Sequence, residues 1–267
     1  MLALALTPRW LGYLALTVVF SIVAGFFGAW QWDRREAAVS IIETVTANYD
    51  LPPTPVKGFL SNGGSYSADD EWKPVLVQGI YVPEDQVLVR TRPRSGQVGF
   101  EILLPIRTAT GETIAINRGW VPTGETTDYP DSVPEPPTGT VSLTGRLKPA
   151  EPTLVGRGAP AGQLSSIDLV AYQSLLDYPI EPVFYLQLVD EDSPGARAGI
   201  PPIKPVPDEG PHLSYTLQWF VFAGMAFFAY FWLLRTEHRA NLGILPTLPR
   251  KRSDADEEDA LLETIRL

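Results

Sequence analysis

The chain has 267 residues, a formal charge of −10, two histidines and no cysteine. Without cysteine there is no disulfide framework, thiol nucleophile or thiolate metal site, and two histidines are too few for a multi-histidine zinc centre. The acidic balance argues against a nucleic-acid partner, and the length suits one substantial domain plus membrane segments.

Arg9 precedes a first apolar run, Leu11 to Trp32, which is long enough to cross roughly 30 Å of hydrocarbon at about 1.5 Å per residue. It is too long for a signal-peptide core and ends in Gly28-Ala29-Trp30-Gln31-Trp32, which lacks a small-residue cleavage site. Ser21, Gly25 and Ala29 recur every four residues and predict a stripe for a close helix neighbour. Trp30, Gln31, Trp32, Arg34 and Arg35 cluster where this helix leaves the bilayer, as interfacial anchors do. A helical extension to about Asn48 is predicted, ended by Pro52, Pro53 and Pro55, and Ser61 to Ser67 reads as a loop.

Strands are predicted at Val75–Val82, covered on both faces, and at 87–90, 100–104, 113–117, 140–144 and 183–188, with a hairpin turn at Thr110-Gly111. One helix, Ser165 to Tyr178, interrupts them, with Ser165 as its cap, Asp168 in its first turn and Ile167, Val170, Ala171 and Leu175 at helical spacing. A Pro- and Gly-rich return from Asp190 to Gly210 leads to a second apolar run, Leu213 to Leu234. Arg235, Arg239, Arg250, Lys251 and Arg252 follow it, then the acidic run Asp254 to Asp259.

Between the two runs lie 24 acidic and 14 basic residues, which account for the whole formal charge. Cationic flanks and an acidic middle predict both termini in the cytoplasm and the main domain outside. The expected fold is a membrane-anchored α+β protein. Two transmembrane helices flank an extracytoplasmic, mainly antiparallel β domain, a small barrel or sandwich with one packed helix. The expected boundaries are 1–10 for the cytoplasmic N-terminus, 11–32 for the first span, 33–212 for the β domain, 213–234 for the second span, and 235–267 for a disordered cytoplasmic tail.

The motifs of acyl transfer, nucleotide phosphate binding and dinucleotide binding are missing: no G-x-S-x-G elbow, no P-loop, no G-x-G-x-x-G after a strand. A binding or assembly protein is therefore expected rather than an enzyme. On a helix starting near Pro211, His212, Tyr215 and Trp219 fall at i, i+3 and i+7 on one face, with Gln218 beside it. An amide inside a span is costly unless it meets another helix or a ligand. Gln31 and Arg34 of the first span reach the same depth if the helices pack antiparallel. A neutral imidazole can ligate haem iron, aromatic rings can cover a porphyrin, and arginine can pair with propionates. A helix cap with an aromatic belt is the competing reading of the same residues.

Four separated motifs carry a resemblance. They are Phe27-Gly28-Ala29-Trp30-Gln31-Trp32-Asp33-Arg34, Trp72 to Gly79, Asn117-Arg118-Gly119-Trp120-Val121-Pro122, and Gly210-Pro211-His212-Leu213-Ser214-Tyr215 with Gln218-Trp219-Phe220. In order and layout they resemble the surfeit locus protein 1 family of cytochrome c oxidase assembly factors, over roughly residues 10 to 234. The resemblance implies a chaperone-like role in building the haem-a-bearing core subunit of a haem–copper oxidase in a bacterial plasma membrane. It implies transient haem a as ligand and His212 as the iron-binding residue; the spacing of Tyr215, Gln218, Trp219, Gln31 and Arg34 gives the expected surroundings. The partner it implies is the core subunit or its assembly intermediate, alongside membrane lipid.

Gly28, Trp30, Asn117, Arg118, Gly119 and Trp120 are expected to form a docking surface, with Gly119 turning the chain and Arg118 and Trp120 projecting from a strand end; a strand-terminal packing motif is the competing reading of Asn117 to Pro122. Trp72 is expected in the core. Two other functions are compatible with the residues: a permanent accessory subunit of the oxidase or a respiratory supercomplex, and an outer-face binding or sensor module using the β domain.

Overall fold

The structure is a computed structural model that describes residues 1–192 and 199–244; the acidic run of the tail lies outside the described residues. Two compact units emerge, one from residues 1–37 with those after 208, the other from residues 38–208.

The first unit holds a short helix α1 (Leu2–Ala5), most of α2 (Pro8–Asn48) and α4 (His212–Asn241). Both long helices are long and apolar enough to cross a membrane. They run antiparallel: as the position on α2 rises from Arg9 to Arg35, its partner falls from Glu237 to Glu209. Trp10 against Tyr230, with ring centroids 5.5 Å apart, and Phe27 against Trp219 lie between those ends. The seam on α2 is Ser21, Ala24, Gly28, Gln31 and Arg35, at alternating steps of three and four. The predicted stripe is corrected in part, because Ala29 faces outward and nothing lies near Gly25. α2 ends at Asn48, whose amide donates to the Asp69 and Glu71 carbonyls at 2.7 and 2.8 Å.

The second unit contains β1 (Thr54–Pro55), β2 (Pro74–Tyr81), β3 (Val87–Val89), β4 (Gly99–Thr108), β5 (Thr113–Pro122), β6 (Thr140–Pro149), β7 (Gln163–Leu164), α3 (Leu169–Gln173) and β8 (Phe184–Glu191). The sheet order is β1-β2-β6-β8-β5-β4-β3-β7, and β2 also pairs with β4. That pairing, Gly79–Tyr81 against Ile106–Thr108, closes a five-stranded barrel and decides between barrel and sandwich. A Cβ at Gly79 would meet the Arg107 carbonyl, so glycine allows the closing approach.

Alternate residues of β2 fill the barrel with Leu104, Ile106, Ile114, Ile116, Leu143, Phe184 and Leu186. Only one face of β2 is covered, contrary to expectation: Leu76 and Ile80 stay exposed. β5 is instead buried along nearly its whole length. Its outer face lies under a second core of Val87, Val89, Leu103, Ile167, Leu169, Tyr172 and Tyr185.

α3 is shorter than predicted. Asp168 rather than Ser165 caps it, accepting from the Val170 and Ala171 amides at 3.0 Å each. Leu169 and Tyr172 are its buried residues, while Val170 and Leu175 point outward. Trp72 is half-buried, with the Lys148 ammonium 3.7 Å from its ring centroid.

Candidate functional site

The end of the helix pair where the chain leaves α2 and re-enters α4 is tied by polar contacts. Gln31 Oε1 lies 2.9 Å from His212 Nδ1. One turn further along α2, the Arg35 guanidinium pairs with Glu209 at 2.8 Å and lies over the Trp32 ring, whose Nε1 donates to Glu36 at 2.9 Å. One turn along α4, Thr216 is buried and its hydroxyl donates to the His212 carbonyl at 2.9 Å. Beyond it Trp219 stacks on Phe27, with centroids 4.9 Å apart and planes 24° apart, and meets Phe222 edge-on at 5.9 Å. A Cβ at Gly28 would lie 3.1 Å from the Phe220 ring.

The hydrogen bond sets the imidazole's tautomer. A carboxamide oxygen only accepts, so Nδ1 donates here, and in the neutral imidazole the lone pair is then on Nε2. Gly210, at φ +66°, sits beside that nitrogen, and a Cβ there would reach 3.4 Å from Nε2. Glycine therefore keeps bulk away from the basic edge of the ring.

Among the residues predicted for this site, His212 and Gln31 come together, while Trp219 lies two turns along α4 against Phe27. Tyr215 lies one turn from Trp219 and is 45% exposed. Arg34 falls two turns from Phe27 on the same helix face, exposed, with no ion pair or hydrogen bond among the described residues. Gln218 does not meet α2. It is two residues past Thr216, about 200° around the helix, and it points away from α2. Trp30 is likewise exposed, whereas Gly28 is buried under Phe220. The Arg35–Glu209 pair and the Phe27–Trp219 stack are contacts that the motifs do not announce. The signal for Arg35 was its position four residues from Gln31, on the same face.

The Asn117–Pro122 motif is not a turn; it is the last part of β5 itself, and Asn117 to Val121 are buried rather than projecting. Asn117 and Arg118 are only 1% and 2% exposed. The Asn117 amide oxygen accepts from the Gly119 N–H at 3.0 Å. Arg118 Nη2 donates to Glu191 at 2.7 Å, and its guanidinium lies 5.1 Å from the Tyr81 ring centroid. Tyr81 donates its hydroxyl to the same carboxylate at 3.0 Å. Gly119, at φ +110°, lets the Gly199 and Ile200 backbone pass against the strand. Trp120 bridges to Ile200 and donates its indole N–H to the Arg92 carbonyl at 2.7 Å. Beside this motif, burial pushes the Glu101 carboxyl above the usual carboxylate range, against the pull of Arg92 and Asn117.

Comparison with known proteins agrees with the motifs. The model of the SURF1 family matches residues 18–224. Uncharacterized SURF1-like proteins of Mycobacterium tuberculosis and Mycobacterium bovis are 32% identical over 241 residues, which cover 86% of this chain and 86% of theirs. The cytochrome oxidase assembly protein SHY1 of Saccharomyces cerevisiae is 28% identical over 110 residues, 40% of this chain and 28% of its own length. By its motifs, its long helices at both ends and these matches, the chain belongs to the SURF1 family.

Proposed function

We propose that this chain is an assembly factor for a haem–copper cytochrome c oxidase, acting on the core subunit or its assembly intermediate, with haem a as a transiently held cargo. The observation that carries the reading is the hydrogen bond from His212 Nδ1 to Gln31, in a SURF1 family member with a relative named for cytochrome oxidase assembly. A single imidazole with Nε2 as acceptor would hold a haem iron and, alone, does not make a zinc site. Metal ligation by histidine commonly relies on such an acceptor at the other ring nitrogen.

In this reading His212 offers Nε2 to the iron and Gln31 holds the ring and its tautomer. Tyr215, Trp219 and Phe27 supply the aromatic wall. Arg34 is left to pair with a propionate, and Gln218, exposed on an apolar helix, turns toward the client's membrane helices rather than toward α2. The β domain lies outside a bacterial plasma membrane and both termini lie inside. Haem a, when bound, supplies an iron that accepts nitrogen ligands; the chain itself binds, orients and shields.

The test is the haem content of the full chain purified in mild detergent, beside the haem a content of the oxidase from the same membranes. His212→Ala is expected to abolish the first and lower the second. Gln31→Leu is expected to weaken haem binding about 10- to 100-fold, as loss of an orienting partner does. Unchanged haem in both preparations of the His212 variant would remove it from the mechanism. Co-purification separates a factor from a subunit: recovery in equal amount with mature, active oxidase would contradict a transient role.

A further inference from the structure

A cavity of about 720 Å³ lined by described residues belongs to the β unit and opens where β2 meets β4. Its lining includes Ile80, Glu84, Asp85, Arg107, Leu175 and Asp177. Ile80 and Leu175 leave 53% and 57% of their surface exposed there. Apolar side chains of that size, grouped in a concave site with polar surroundings, mark a binding surface more often than isolated ones do.

The charges around them are unbalanced, with three carboxylates against one guanidinium. Glu84 and Asp177 have no hydrogen-bond or ion-pair partner among the described residues, whereas Asp85 accepts from the Tyr178 hydroxyl. The one cation, Arg107, is held 5.0 Å from the Tyr178 ring centroid and neutralises neither free carboxylate.

From this combination we infer that the cleft docks a basic, amphipathic segment of a partner protein. Lys or Arg side chains of that segment pair with Glu84 and Asp177, and its apolar residues cover Ile80 and Leu175. Charge complementarity selects the occupant: an acidic segment would meet unpaired carboxylates, and a purely apolar one would leave them desolvated. None of these residues belongs to the helix pair, so the inference stands or falls apart from the haem reading.

The test uses the full chain in nanodiscs of neutral phosphatidylcholine and a fluorescein-labelled amphipathic Leu/Lys peptide, with empty nanodiscs as background. The Leu/Lys peptide is expected to bind and a matched Leu/Glu peptide is not. The double variant Glu84→Gln, Asp177→Asn is expected to weaken binding about tenfold, the scale of two exposed ion pairs. Ile80→Thr with Leu175→Ser is expected to weaken it similarly while the unfolding temperature stays unchanged, since both side chains are exposed. Equal affinity in either double variant, or equal binding of the Leu/Glu peptide, overturns the proposal. So does displacement of the peptide by the same charge concentration of spermidine, a cation without an apolar side chain.

Discussion

The guanidinium of Arg118 has been taken out of water along with the Glu191 carboxylate, the two side chains being 0% and 6% exposed. Desolvating two ions costs several kcal/mol each, which their attraction and the Tyr81 contacts must offset. Removing one partner therefore hurts more than removing both. Arg118→Met is expected to destabilise the protein by about 3–5 kcal/mol, because it leaves the buried Glu191 without its counter-charge, with only the Tyr81 hydroxyl beside it. Adding Glu191→Leu is expected to recover most of that loss, giving a large coupling in a double-mutant cycle followed by urea unfolding. A double variant as unstable as the single would show that the pair is not what holds this end of the barrel. At the β4–β5 turn the electrostatics are exposed instead. Hydrogen bonds from Thr110, Asn62 and Thr108 hold Glu112 down at about 2, against an ordinary 4.5. A carboxyl depressed by folding adds stability at pH above its unfolded value and loses it as pH falls through the folded one. Glu112→Gln should therefore flatten the acid-unfolding curve between about pH 4.5 and 2, with the difference shrinking in high salt because the group is exposed. Superimposable curves at low salt would exclude this contribution.

At the scale of elements, the helix seam turns on Gly28. The Phe220 ring fills the space a side chain would take, and the end of a phenylalanine can shift by a few tenths of an ångström. Gly28→Ala is accordingly expected to be nearly neutral. Gly28→Leu overfills the seam, which costs about 1–3 kcal/mol in a packed interior. The readout is disulfide formation between cysteines placed at Phe27 and Trp219 in this cysteine-free chain; equal yield with and without the Gly28→Leu substitution would show that the helices do not close there. The small residues on the first span were legible, but their phase was not. Steps of four drift about 40° around the helix each time, whereas two helices in prolonged contact need alternating steps of three and four. The strands were legible for a similar local reason, since β-branched runs between turn residues announce themselves. Closure of β2 on β4 and the parallel pairing of β5 with β8 are long-range and leave no local signal. Arg118 was misplaced because a charged residue in a strand reads as surface until its buried partner, 73 positions away, is known.

For the molecule as a whole, one geometric fact constrains the membrane arrangement. The chain leaves α2 past Arg35 and re-enters α4 past Glu209, at the same end of an antiparallel pair. If both helices cross, residues 38–208 lie on one side and both termini on the other. α2 is 41 residues long, about 60 Å at 1.5 Å per residue, so it extends well beyond a hydrocarbon core of roughly 30 Å. The proposed side, with the termini inside, follows the arginines. Arg9, Arg235 and Arg239 flank the terminal end, whereas Arg34 and Arg35 at the other end are offset by Asp33, Glu36 and Glu209. Single cysteines report this directly, because the chain has none of its own. Val155, 96% exposed, replaced by cysteine is expected to react with a membrane-impermeant maleimide in bacterial spheroplasts. Cysteine in place of Asn241, at the end of α4, is expected to react only after the membrane is permeabilised. The reverse pattern would invert the topology and place the His212–Gln31 end of the pair on the cytoplasmic side. Reaction at both positions in intact spheroplasts would show that α4 does not cross, since a single span separates Val155 from Asn241, and the proposed client contact would then need a different geometry.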